Sequence, residues 1–111
     1  MEIFEATKNG WLILDIKGRM DAITSPQARE KIMEVIDRGE TKILLDCSSL
    51  EYISSAGLRV MFEAAYRIQG LSGRIGCYGV NANVRKIFNL ADLESDIRIY
   101  DEKDLPDGST R

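Results

Sequence analysis

The chain has 111 residues, 44% of them hydrophobic and 30% charged, with a formal net charge of −3 and no histidine. That length suits one domain able to bury roughly two-thirds of its unfolded surface, so a core needs neither metal nor disulfide staples. The composition excludes a disordered chain, and the scattered Lys and Arg form no basic patch that could neutralise several phosphates at once. No stretch approaches the ~18 apolar residues of a membrane span, and the opening MEIFEATKNGW lacks a basic region followed by an apolar run. The expectation is a cytoplasmic protein with neither nucleic acid nor membrane as partner.

Residues 2–7 and 11–17 read as strands joined by Lys8-Asn9-Gly10, because Asn-Gly supplies the positive φ angles of a tight hairpin. Leu12, Leu14 and Ile16 alternate with Ile13, Asp15 and Lys17, giving one buried face and one mixed face. Residues 18–24 form a connection ending at Ser25-Pro26, a serine cap followed by a proline that loses no hydrogen bond in the first helical turn. Ala28, Ile32, Val35 and Ile36 then make one apolar stripe of a helix over about 26–38, ended by Gly39.

The nearly continuous apolar run of residues 42–47 reads as a strand covered on both faces, at the centre of the sheet. A strand-like run of Leu50, Tyr52 and Ile53 leads into a helix whose inward face carries Leu58, Met61, Ala65 and Ile68. Residues 74–79 form a further strand. Asn81 starts a short helix facing inward through Val84, Ile87, Phe88 and Ala91, and Ile97 and Ile99 belong to a last strand. Helices between strands imply right-handed crossovers and parallel pairing, with the hairpin as an antiparallel edge. The expected fold is a single α/β domain over residues 1–100, a mixed four- to five-stranded sheet packed against helices. A polar, frayed tail over residues 101–111 completes the chain.

Chemistry is constrained by what is missing. Without histidine there is no Ser-His or Cys-His pair, and Cys47 and Cys77 fit no common zinc pattern, so both read as reduced, packed thiols. Asp21, Asp46 and Glu51 stand near strand ends but read as solvated acids, and the glycines match neither a Walker loop nor a dinucleotide fingerprint. Catalysis, metal and cofactor are not expected. The remaining polar constellation is Ser54-Ser55-Ala56-Gly57 at a strand-to-helix junction. Ser54 could be only the helix cap, worth about 1 kcal/mol. A phosphate added there would also be favoured, since a helix start carries unpaired amides and about half an elementary positive charge.

Residues 46–58, DCSSLEYISSAGL, resemble the signature of STAS domains, found in bacterial anti-sigma-factor antagonists and at the cytoplasmic ends of sulfate transporters. Gly18-Arg19-Met20-Asp21 resembles the family's Gly-x-hydrophobic-Asp turn, and residues 80–93 resemble its last helix. The resemblance covers about residues 2–100. It implies a free-standing, partner-switching domain that binds an anti-sigma factor which is also a serine kinase. Phosphorylation by that kinase releases the partner, and a serine phosphatase resets the domain. By register the phosphoacceptor is Ser55, with Ser54 as second candidate. The partner-binding residues would be Asp21, Ser54, Ser55, Ala56, Gly57, Leu58 and Arg59, on a monomer or weak dimer. Ser54 stands where many antagonists have Asp, and Arg59 where Gly is common. The alternative reading is a sensor binding a nucleotide or lipid between helices and sheet; a weak nucleotide hydrolase ranks last.

Overall fold

The hairpin forms as its turn chemistry dictates. Strands β1 (Glu2–Lys8) and β2 (Trp11–Met20) pair antiparallel from Lys8 opposite Trp11 to Glu2 opposite Lys17. Asn9 and Gly10 both adopt positive φ, at 53° and 84°, the mirror-image turn that matches strand twist. The structure is a computed structural model and describes residues 1–101 together with Leu105 and Pro106.

The remaining elements are α1 (Ser25–Asp37), β3 (Lys42–Asp46), β4 (Leu50–Ile53), α2 (Ser55–Gly70), β5 (Arg74–Tyr78), α3 (Ala82–Leu90), a 3-10 turn at Leu93–Ser95, and β6 (Arg98–Tyr100). The sheet runs β1-β2-β3-β5-β6, with every pair except β1–β2 parallel. β3 lies in its middle, as its continuous apolar run predicts. Leu12, Leu14 and Ile16 of β2 and Ile43 and Leu45 of β3 pack with the apolar stripes of α1 and α2, namely Ala28, Ile32 and Val35, and Met61, Ala64 and Ile68. Val84 and Phe88 of α3 close the same core.

The sheet has six strands, where four to five were expected. β2 continues through Gly18 to Met20, residues expected to be a connection, and so overruns the end of β3. β3 stops because the Asp46 carboxylate accepts bonds from the Ser48 amide at 3.0 Å and the Ser48 hydroxyl at 2.6 Å, which turns the chain. The bare edge of β2 is then paired by β4, Arg19 opposite Tyr52 and Met20 opposite Ile53, across an irregularity at Gly18. The strand-like run of Leu50, Tyr52 and Ile53 is therefore a strand, though four residues show too little periodicity to say where it pairs. The unpaired backbone of β2 beside it decides that.

The start of α1 also differs from expectation. Thr24, not Ser25, occupies the cap position, and Ser25 is the first helical residue, buried, its hydroxyl without a hydrogen-bond partner among the described residues. Pro26 does fall in the first turn. Cys47 and Cys77 are free and buried, and they meet at the adjoining ends of β3 and β5. Their mutual hydrogen bond, reinforced by burial, pushes the Cys47 thiol well up, which keeps it protonated and unreactive. Among the described residues no helix is long and apolar enough to cross a membrane.

Candidate functional site

β4 ends at Ile53, and the next amide, that of Ser54, donates to the Met20 carbonyl at the end of β2 (2.9 Å). This bond seats the first turn of α2 against the β2–α1 loop. Ser54 has extended backbone (φ −95°, ψ 178°), and its hydroxyl oxygen accepts from the Gly57 amide at 3.4 Å while its carbonyl accepts from Leu58 at 2.9 Å. It is the cap of α2 by geometry. Ser55 is the first residue of the helix and is exposed, and the amides of Ser55 and Ala56 have no preceding turn to supply a carbonyl. The adjacent serines therefore differ in kind: Ser54 is half-buried and engaged, and Ser55 presents its hydroxyl to solvent.

Gly57 is buried because the helix start lies so close to the sheet. A β-carbon there would fall 2.6 Å from Ile53 Cγ1 and 2.9 Å from the Met20 carbonyl oxygen. Ala56 and Leu58 are half-buried at the rim, and Arg59 is exposed one turn beyond Ser55.

Asp21 serves its own loop. Its Oδ1 accepts from the amides of Ile23 and Thr24, both at 3.0 Å, and the Asp21 amide donates to the Thr24 hydroxyl oxygen at 2.9 Å. The Thr24 hydroxyl in turn donates to the Arg19 carbonyl at 2.6 Å, which explains why Thr24 makes no side-chain cap for α1. The Thr24 amide, followed by the Ile23 amide and the Thr24 hydroxyl, holds the Asp21 carboxyl below the usual aspartate range. Asp21, Asp46 and Glu51 are not drawn into one cluster: Asp46 is taken by Ser48, and Glu51 is exposed on β4. No group of three or more Cys, Asp or Glu able to hold a metal gathers among the described residues.

The sequence assigns no role at this corner to Arg19, Tyr52 or Ile23, and Asn81, read from it correctly as the start of a helix, also does more. Arg19 stacks its guanidinium 4.4 Å from the centroid of the Tyr52 ring, a contact that exists only because β4 pairs with β2. Asn81 donates to the Leu50 carbonyl at 3.0 Å and accepts from the Val84 amide at 2.8 Å, so one side chain caps α3 and ties it to β4. Ile23 is 88% exposed at the tip of the Asp21 loop. Its signal was legible, a lone branched apolar residue inside a polar connection.

Replacing Gly57 by alanine should destabilise the domain by about 2 kcal/mol, because one of the atoms in the way is backbone and cannot rotate aside; denaturant titration measures it, and an unchanged midpoint would contradict the packing. Asp21→Asn should lower the melting temperature at neutral pH. Because the folded-state pKa of Asp21 is depressed, its contribution is present above the ordinary aspartate pKa and lost as pH falls through the lowered value. The difference between parent and variant should therefore shrink in melts taken from about pH 7 down to about pH 3, and a difference constant across that range would exclude the assigned role.

Comparisons with known proteins agree with one another on the family and the fold. The model of the STAS domain family matches residues 5–104. BtrV of Bordetella bronchiseptica, named as an anti-sigma factor antagonist, is 30% identical over 87 residues, which cover 78% of this chain and 75% of that one. A solved structure named as an anti-sigma factor antagonist, from Thermotoga maritima, superposes with a TM-score of 0.84 at 21% identity, covering 89% of this chain and 86% of that one. The phosphorylated form of the Bacillus cell fate determinant SpoIIAA superposes with a TM-score of 0.70 at 19% identity, covering 92% and 94%. A six-stranded mixed sheet, a serine-capped helix start and matches that span most of the chain lead to one assignment: the chain belongs to the STAS domain family, among the anti-sigma factor antagonists.

Proposed function

We propose that the corner formed by the start of α2 and the β2–α1 loop binds an anti-sigma factor that is also a serine kinase, and that phosphorylation of Ser55 releases it. One observation carries this reading: Ser55 is exposed at the first position of α2, while Ser54 beside it already provides the cap. Modification of Ser55 therefore removes no bond on which the helix start depends. In the transfer, the Ser55 hydroxyl oxygen attacks the γ-phosphorus of ATP held by the kinase, its proton passes to a kinase base, and ADP leaves. The product carries about −1.5 to −2 charges beside the open amides of a helix N-terminus, which tolerate it. The domain stays folded and its docking surface changes sign. A serine phosphatase restores the original surface.

The apolar part of the contact comes from Ile23 and Leu58, with Ala56 and Gly57 leaving room for close approach, and Arg19 and Arg59 bring positive charge to the rim. Asp21 shapes this surface by fixing the loop that carries Ile23. The role is binding and not catalysis, in keeping with the relatives' names and with a chain that has no histidine. Its setting is the cytoplasm, where such a kinase and its ATP are found.

The reading is tested by affinity for the purified cognate anti-sigma factor. Ser55→Ala should bind within about twofold of the parent chain, and Ser55→Asp should bind about tenfold or more weakly, since a fixed charge is placed against a desolvated contact. Equal affinities for the two variants would remove Ser55 from the switch.

A further inference from the structure

The sheet face turned away from α1 and α2 carries a large apolar patch, where a bare sheet face would ordinarily be polar. Trp11, Leu44 and Tyr78 are buried on it, 3%, 1% and 7% exposed, and Ile13, Tyr100 and Leu105 pack against them. Trp11 belongs to β2 and Tyr100 to β6, with β3 and β5 between them, about 14 Å of sheet at the usual strand spacing. Their rings nevertheless meet edge-on, centroids 6.5 Å apart. Gly76 on β5 permits it, since a β-carbon there would stand 2.5 Å from a Tyr100 ring atom. The Arg74 guanidinium lies 4.9 Å from the Trp11 ring centroid and that of Arg98 5.3 Å from the Tyr100 ring centroid, so each aromatic is flanked by a cation.

Leu105 and Pro106, from the stretch expected to be a frayed tail, lie on this face; the rest of that stretch beyond Asp101 lies outside the described residues. The Trp11 indole N–H donates to the Pro106 carbonyl at 2.7 Å, joining residues 95 positions apart. Under this strap, between Lys8, Ile13, Leu44 and Tyr78, is a cavity of about 210 Å³. The chemistry of the two residues suits the place. A buried indole N–H left without an acceptor would cost about 1–3 kcal/mol. Proline supplies the carbonyl and brings no N–H of its own that would need a partner on an apolar surface.

We propose that this face is a second docking site for a bulky apolar residue followed by proline, and that the chain's own Leu105-Pro106 occupies it as a displaceable strap. Because Leu105 and Pro106 belong to the same chain, they are held beside this face at an effective concentration of about millimolar, so an outside segment docks only by displacing them. The face lies at the Trp11 end of β2, about 30 Å along the strand from Met20 and the Ser55 corner. The two surfaces can be occupied at once, and this proposal does not rest on the switch at Ser55.

Trp11 is the only tryptophan, so its fluorescence reports on the strap directly. In the full chain, Leu105→Asp should shift Trp11 emission to the red and raise acrylamide quenching several-fold, with an unchanged far-UV spectrum, whereas Leu105→Met should behave as the parent. A synthetic peptide of residues 101–111, titrated onto the Leu105→Asp chain to millimolar concentration, should return the emission to the blue. If Leu105→Asp does not fold, Leu105→Ala gives the same readout with a smaller shift. Emission unaffected by these substitutions would overturn the proposal, as would a peptide without effect. A parent chain that sediments as a dimer and exposes Trp11 on dilution would overturn the assignment of the strap to the same chain, because a second copy would then supply it.

Discussion

Everything at the corner of Ser54 and Ser55 depends on one mismatch of lengths: β2 is ten residues long and β3 is five. Past Asp15, β2 has no neighbour in β3, and the backbone groups of Gly18 to Met20 would face the domain unpaired. β4 satisfies them, and the bond from the Ser54 amide to the Met20 carbonyl extends that pairing into the first turn of α2. The start of α2 is thus set by sheet hydrogen bonds as well as by its apolar stripe. Gly57 is then a necessity, because a helix anchored that close to Met20 has no room for a side chain there.

This anchoring separates the surroundings of two adjacent serines. The cap hydroxyl is half-buried and its oxygen already accepts from the Gly57 amide, whereas the exposed hydroxyl one residue later is open to solvent and can change its charge at little cost to the fold. On the other face of the sheet the same economy applies to Trp11, whose indole N–H is matched by a carbonyl brought from the far end of the chain. In both places a polar group is paired at the point where leaving it unpaired would be most costly.

What was legible in the sequence is what local rules decide. Asn9-Gly10 announced the hairpin, the spacing from Ala28 to Ile36 located α1 to within a residue, and the unbroken apolar run before Asp46 marked the central strand. Ser54-Ser55 was found because two hydroxyls at a strand-to-helix junction are conspicuous without any knowledge of the fold. Non-local features stayed hidden. The strand-like run of β4 was legible but its pairing with β2 was not, the Arg19–Tyr52 contact exists only through that pairing, and a leucine and proline in a polar stretch cannot reveal that they cover a tryptophan near the other end of the chain. Ser25 lost the cap position for the same reason: its amide already donates to the Asp21 carbonyl at 2.8 Å, so the turn that holds Asp21 starts the helix one residue early.

The central claim is that the exposed serine, and not its capping neighbour, carries the switch. Incubation of the chain with its anti-sigma factor kinase and ATP, with the phosphate then mapped by mass spectrometry, tests it most directly. The expected result is phosphate on Ser55, with Ser54 unmodified; phosphate confined to Ser54, or none on either serine, would contradict it.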